Sequence, residues 1–390
     1  MRSTIGVRQT VLSRLIGFAV LFLFLATRST AQWIPPNAVK GVEPQTHGAV
    51  LVLENGYLRF QVCTESMVHV VYSLERALAE RPDFLVIRKS WPNAEFSVTS
   101  DDANLVTLKT AKLKIEVTRA DSSIVFFDAE GKRLAAETSH TLTPVEVNGE
   151  KTLHSERFVN MWDTQEAFYG LGQHQGGVWN YRGEAVDLSQ DNTNISIPML
   201  LSSRGYGIFW NNGSRSRFNN RFVHAFYLSS EMSDSIDYYF LYGPSFDKII
   251  ADYRDLTGPV PLFGKWAYGY WQCKNRYDSQ AELLGIAQKY RALHIPLDNI
   301  VQDWFWWNTM GEPVFNKNYP DPKGMVDTLH KLNVHLMISV WPYFRPVRLC
   351  MRTWTKRDIL WRKPLRADFI PKGWRCTPRS IPRPGNTTGA

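Results

Sequence analysis

The sequence predicts an N-terminal β-sandwich followed by the first part of a (β/α)8 barrel, the barrel being incomplete within this chain. Three observations predict it. From about Ala49 to Tyr242, apolar residues recur at every second position between frequent turns. After Thr257-Gly258-Pro259 the spacing changes to helical stretches separated by short apolar runs. Aromatic and acidic residues then collect just past the ends of those runs, which is the face a parallel barrel uses for chemistry.

The sandwich strands read in order. Leu51 and Leu53 precede Asn55-Gly56, and Leu58, Phe60 and Val62 follow, so alternation flanks a two-residue turn and gives a hairpin. Leu113, Ile115 and Val117 alternate again, and Ile124 to Phe127 runs into Asp128-Ala129-Glu130-Gly131. Ile208-Phe209-Trp210 ahead of Asn211-Asn212-Gly213 repeats the pattern. Many short strands with no long helix among them describe a sandwich over residues 32–256.

The barrel portion, residues 257–344, reads β-α-β-α-β. Trp266 to Trp271 is an apolar run. Ser279 with Glu282 forms a capping box, and Leu283, Leu284, Ile286, Ala287, Tyr290 and Leu293 follow at helical spacing. Asn299 to Asp303 is the second run. Asp321-Pro322 opens a second helix carrying Met325, Val326, Leu329 and Leu332, and His335 to Val340 is the third run. Strands alternating with helices imply a parallel sheet.

Composition bounds the function. The 390 residues are 44% hydrophobic, 13% aromatic and 21% charged, which is a globular make-up and excludes a disordered or disulfide-dense chain. The net charge of +8 belongs to the end of the sequence. Arg345 to Ala390 holds nine Arg, three Lys, two Asp and no Glu, while residues 1–344 are slightly acidic. The body therefore gives a nucleic-acid partner no support. Arg2, Arg8 and Arg14, the apolar stretch Leu15 to Ala26, and Ser29-Thr30-Ala31 describe a secretory signal peptide over residues 1–31. The expectation is a secreted or periplasmic protein, with no membrane contact after cleavage near Gln32. The alternative is a membrane anchor, but the run is shorter than the roughly 20 residues of a spanning helix. Four cysteines make no disulfide framework in a chain of this length; Cys63 and Cys273 read as buried free thiols. No metal-ligand cluster, phosphate loop or nucleophile–base–acid triad stands out, so no metal and no cofactor are expected. His174 reads as a structural loop residue.

At the ends of the runs stand Gln272, then Asp303-Trp304-Phe305-Trp306-Trp307, then Trp341 and Tyr343. Flat aromatic walls with a fixed carboxylate suit a sugar, whose C–H faces pack on rings while its hydroxyls need polar partners. The alternative is that these aromatics are ordinary core.

Several segments together resemble glycoside hydrolase family 31, the α-glucosidase and α-xylosidase family. Phe168-Tyr169-Gly170-Leu171-Gly172-Gln173-His174 resembles its sandwich loop, and Ile197-Pro198 with Ser202 and Gly205-Tyr206-Gly207-Ile208 the strand pair after it. Tyr270-Trp271-Gln272, Ile295-Pro296-Leu297-Asp298 and Asp303-Trp304-Phe305-Trp306 resemble the first barrel strands. Tyr319-Pro320-Asp321-Pro322 and His335 to Pro342 resemble the third βα unit. The resemblance covers about residues 45–344. It implies a galactose-mutarotase-like sandwich, a barrel, and retaining hydrolysis of α-linked oligosaccharides through a covalent glycosyl-enzyme. It also implies that Asp303, with Trp304 beside it, and Trp341 line the −1 subsite. For a sandwich loop reaching over the pocket the candidates are Asp187 and Asp191; the alternative is that each caps a turn. Gly172-Gln173-His174-Gln175, Val186-Asp187-Leu188 and Asn192-Thr193-Asn194-Ile195 lean toward secreted bacterial α-xylosidases.

The resemblance ends after Phe344. The family's nucleophile and acid/base belong further along, so no catalytic residue is assigned in this chain, and a non-catalytic carbohydrate-binding or interaction module is the alternative function. Residues 345–390 read as an aberrant basic tail. Read one base out of frame, Ser380 to Gly389 allows Phe-Asn-Pro-Glu-Ala-Arg-Lys-Tyr-Tyr-Trp, which resembles the family sequence after the third strand. A frameshift near Pro346 is therefore expected. Three barrel strands leave open edges and uncovered helix faces, so residues 257–344 are expected not to fold stably alone. Limited proteolysis of residues 1–390 checks this: a resistant fragment containing 257–344 would count against it.

Overall fold

The structure is a computed structural model that describes residues 36–341, apart from 78–82, 84, 89, 164, 223 and 312. The expected signal segment, Tyr343 and the tail lie outside the described residues. The chain divides into two compact units at Pro259/Val260, close to the expected break after residue 256.

The first unit is a sandwich of two antiparallel sheets. The eight-stranded sheet runs, edge to edge, Val39–Gln45, Gly48–Leu53, Tyr57–Thr64, Met67–Ser73, Ile236–Tyr242, Tyr206–Trp210, Ile195–Ser202, Phe168–Gln173. The nine-stranded sheet runs Ala185–Leu188, Ser216–Phe222, Ala225–Ser233, Glu150–Asn160, Arg133–Val147, Ile124–Asp128, Leu113–Thr118, Leu105–Thr110, Phe96–Thr99. Alternation decides which side chains go inward: Leu113, Ile115 and Val117 are buried, as are Ile124 and Phe126. They meet Leu58, Phe60, Ile208 and Phe240 in one apolar core. The Asn55-Gly56 hairpin forms, with Leu51 opposite Leu58. Its turn sits one residue earlier than expected, because Leu53 N–H donates to Gly56 O at 3.0 Å.

A helix that alternation did not reveal, Phe246–Thr257, follows the last sandwich strand. Ser245 caps it by accepting from Lys248 N–H. Ile249 and Leu256 enter a second apolar cluster on the outer side of the eight-stranded sheet, with Met199, Phe209 and Leu241. Gly207 permits this packing: a Cβ there would lie 2.6 Å from Met199 Cε and 2.7 Å from Ile249 Cγ2. Phe246, Ile249, Ile250 and Tyr253 carry the helical spacing that the strand-dominated surroundings masked.

The sandwich core also holds charge. Arg157 and Glu137 are buried and paired through Nε and Oε2. Tyr238 OH donates to the same oxygen at 2.8 Å, and His140 Nδ1 lies 3.2 Å from Oε1. The Arg157 guanidinium lies over the Tyr238 ring at 4.0 Å. Burial alone would raise the Glu137 carboxyl; the Arg157 cation and the His140 hydrogen bond outweigh it and hold the carboxyl below its ordinary range.

The second unit contains a three-stranded parallel sheet, Trp271–Cys273, Asn299–Gln302 and His335–Ile338 in that order. Helices Gln280–Ala292 and Pro322–Lys331 connect them. Leu283, Ala287, Ile300, Met325 and Leu329 form the core between sheet and helices. This is the opening of a barrel, as expected. The first strand starts later than expected, since Lys265–Tyr268 is a short 3-10 helix.

The buried pair generates a prediction. Removing one partner, as in Arg157→Met or Glu137→Leu, should cost about 3–5 kcal/mol by stranding the other charge. Because the folded carboxyl titrates below the unfolded value of about 4.3, its stabilisation is present above that pH. It is lost as pH falls through the folded value. Denaturant unfolding across this range should show a smaller acid loss in Glu137→Gln than in the parent.

Candidate functional site

The register of the parallel ladder builds the site. Cys273 pairs with Val301, and Val301 with Met337. Ile300 and Leu336 face the helix-side core, so Val301 and its partners face the other way, and Asp303, two residues on, shares their side. Asp303 follows the second strand directly. Its Oδ1 accepts from Trp304 N–H at 2.8 Å, and its Oδ2 lies 4.0 Å from Cys273 Sγ. Cys273 is exposed, not buried as expected. Its position at the end of an outer strand leaves it uncovered, whereas Cys63 is enclosed between sheet and helix, where burial pushes its thiol up to about 12.

The tryptophans divide into two groups. Trp306 and Trp307 are core, at 2% and 5% exposure. Trp306 Nε1–H donates to Ser339 O at 2.8 Å, fastening the second strand's loop to the third. Trp304 and Trp341 are half-buried and stack on each other, with centroids 5.6 Å apart and planes 10° from parallel. Trp304 Nε1–H donates to Asn275 Oδ1 at 2.5 Å, and Trp341 Nε1–H to Ser339 Oγ at 3.1 Å. Phe305 turns the chain with φ +65°, and Asn316 Nδ2–H donates to its carbonyl at 2.8 Å. The structure thus brings Asp303, Trp304 and Trp341 together at the C-terminal strand ends. Ring faces beside a carboxylate are suited to hold a small polyhydroxylated ring.

Gln272 does not join them. It sits inside the first strand, not after it, and accepts from Tyr290 OH at 2.5 Å and Tyr270 OH at 3.2 Å on the helix side. Glu282 completes only half of the capping box. Ser279 accepts from Glu282 N–H at 3.2 Å, but the Glu282 carboxylate accepts from Asp278 N–H at 2.7 Å and pairs with Lys274. Asn275 and Arg276 were not singled out by sequence, because polar residues in a loop carry no periodic signal. A cavity of about 370 Å³ lies at the opposite ends of the strands, lined by Trp266, Asp298, His330, Asn333, Val334 and His335. The N-terminal face of a barrel serves stability more than chemistry.

The sandwich candidates are placed within their own unit. Asp187 is an exposed strand residue 3.5 Å from Arg217 and 3.6 Å from Arg215, so it caps no turn. Asp191 does cap one: its Oδ1 accepts from Asn192 N–H at 2.7 Å and its carbonyl from Asn194 N–H at 3.2 Å. His174 Nε2–H donates to Leu171 O at 2.8 Å, a structural loop contact. In the same loop Gly170, Leu171 and Gly172 have φ of +90°, +63° and +96°. A Cβ on Gly172 would lie 1.9 Å from Ile195 O. Among the described residues no three His, Cys, Asp or Glu side chains could hold a metal ion.

A sandwich ahead of parallel βα units with aromatics and a carboxylate at the strand ends is the layout of a two-domain carbohydrate-active protein. Comparison with known families is specific. Residues 52–219 match the glycosyl hydrolase 31 N-terminal galactose mutarotase-like domain, and residues 260–386 match the glycosyl hydrolases family 31 TIM-barrel domain. The chain belongs to glycoside hydrolase family 31. The barrel match runs past Phe344, where the sequence reading ended the resemblance. An α-xylosidase of Saccharolobus solfataricus is 34% identical over 302 residues, 74% of this chain and 40% of that protein. Alpha-glucosidase 2 of Bacillus thermoamyloliquefaciens is 25% identical, over 74% of this chain and 38% of its own length. The chain therefore spans about two fifths of these curated relatives. Among solved structures, a family 31 α-xylosidase from a soil metagenome, complexed with xylose, superposes with a TM-score of 0.73 at 23% identity. It covers 82% of this chain and 50% of that one.

The Cys273–Asp303 contact is testable. Partial desolvation by its neighbours first, and the Asp303 charge second, push the thiol of this largely exposed Cys273 up. Asp303→Asn removes the second cause, so the thiol should ionise at lower pH and react faster with iodoacetamide at about pH 8. Peptide mapping resolves Cys273 from Cys63, which should stay unreactive. An unchanged rate would mean the two groups do not interact.

Proposed function

We propose that this protein is a retaining glycosidase acting on α-linked xylosides or glucosides, with α-xylosides favoured. The observation that carries the proposal is Asp303 beside the stacked Trp304 and Trp341 at the C-terminal strand ends of a family 31 barrel. In this reading Asp303 accepts hydrogen bonds from sugar hydroxyls, and the parts of the two indoles left uncovered by their mutual stacking pack on the sugar's C–H groups. The family's chemistry needs a carboxylate nucleophile, which forms a covalent glycosyl-enzyme, and a second carboxyl that alternates as acid and base. Neither is assigned to a described residue, and residues 1–390 as written are proposed to be inactive. Residues 1–31 are proposed as a secretory signal.

Residues 345–390 belong to the same proposal. Their basic, proline-rich composition and the barrel-like words in the shifted frame support a frame displacement near Pro346. The barrel family match that continues to residue 386 in the written frame pulls the other way. The nucleotide sequence from the Trp341 codon onward decides between them: a shifted frame that does not continue the barrel would sink the frameshift.

A second reading is sugar binding without hydrolysis, which needs only Asp303 and the two indoles. Binding of methyl α-xyloside followed by NMR, together with hydrolysis of an aryl α-xyloside, separates the two. On either reading Asp303→Ala should weaken binding by about 10–100-fold, the scale of hydrogen bonds to a charged acceptor. Binding that is unaffected by the substitution would remove Asp303 from the site.

A further inference from the structure

The loop after the first barrel strand meets the loop after the second, residue against residue. Cys273 Sγ faces Asp303 Oδ2 at 4.0 Å, although its proton has a second acceptor in Lys274 O at 3.6 Å. Asn275 Oδ1 accepts from Trp304 Nε1–H at 2.5 Å. The Arg276 guanidinium lies over the Phe305 ring at 4.7 Å. The first loop is itself braced. Lys274 Nζ bonds Glu282 at 2.5 Å, Arg276 Nε lies 3.0 Å from Asp278 Oδ1, and Asn318 Nδ2–H donates to Asp278 O at 3.0 Å. Glu282 stands in the first turn of the helix Gln280–Ala292, so this bracing ties the loop to regular structure.

Of these contacts, the one to Trp304 bears on selectivity. An indole is free to swing about χ1 and χ2 unless its face and its edge are both held. The Trp304 ring packs on Trp341 and on Phe305, with centroids 5.6 and 4.0 Å away, and its single polar edge is held by Asn275. A xyloside and a glucoside differ by one hydroxymethyl group, and a pocket separates them only if its wall stays in place. We propose that Asn275 is a positioning residue that sets sugar specificity by fixing Trp304, so that the wall excludes the hydroxymethyl group. This rests on the reading of Trp304 as a sugar-contacting wall.

The test uses the full chain with 15N-labelled indoles, whose 14 tryptophans give separate N–H resonances. Trp304→Phe assigns the one at issue. Asn275→Ala removes the acceptor, and Asn275→Asp keeps one in the same place. In Asn275→Ala the Trp304 indole resonance should move upfield, and the ratio of xylose to glucose affinity should fall about fivefold, the scale of one hydrogen bond. Asn275→Asp should restore both. A Trp304 resonance that stays in place in Asn275→Ala overturns the positioning role. A resonance that moves while the affinity ratio holds overturns the specificity role. Should the parent chain bind neither sugar, the sugar-site reading fails and the specificity role with it. The resonance would then still report whether Asn275 holds Trp304.

Discussion

The parallel ladder of the second unit is the constraint on which its candidate site depends. Once Cys273 pairs with Val301 and Val301 with Met337, the loops leaving each strand emerge side by side. A slip of one residue would turn Asp303 to the helix side, where Ile300 and Leu336 pack. The carboxylate's position is thus a consequence of backbone hydrogen bonding and of which residues the helices bury. The side chains at the strand ends then add detail: Trp306 and Asn316 fasten the loop, and Asn275 orients the indole beside the carboxylate.

The sandwich is organised by a different economy. Its two inner faces are apolar and large, and Arg157, Glu137, His140 and Tyr238 are enclosed within them. An ion pair of this kind adds little net stability, since desolvation offsets most of the attraction. Its effect falls on alternatives: any packing that separates the two groups strands a charge. Glu166 shows the opposite balance. It accepts from Tyr206 OH at 2.7 Å and from Ser202 Oγ at 2.5 Å but has no adjacent cation strong enough to overcome burial, and its carboxyl is pushed up. Two enclosed carboxyls in one sandwich are therefore held in opposite directions by their neighbours.

Much of this was legible in the sequence, for reasons that differ by element. Period-two alternation revealed strands such as Leu113–Thr118 and Ile124–Asp128 because each has one dry face, whereas Tyr206–Trp210, buried on both faces, was marked by its apolar run and the turn after it. The barrel units were legible because caps such as Ser279 and Asp321 are local signals, and each accepts the expected backbone N–H. Asp303, Trp304 and Trp341 were legible as residues following apolar runs. The helix Phe246–Thr257 was hidden because its apolar stripe follows directly on a strand of similar composition. Asn275 was hidden because its role is a tertiary contact made 29 residues away, and no local pattern marks such a pair. The placement of Gln272 failed by two residues, since a three-residue strand and a 3-10 turn are both too short for periodicity to separate.

The Tyr169-Gly170-Leu171-Gly172 segment has a meaning beyond its place in the sheet. Three successive residues there occupy the left-handed region, and the strand shifts register against Ile195–Ser202 between Gly170 and Gly172. Backbone shape, with Ile195 O in the way of any Cβ on Gly172, prescribes those glycines. The words that make the chain recognisable are thus a record of architecture. A descendant that lost every trace of enzymatic competence would still be obliged to spell them, and one that kept its chemistry on another scaffold would not.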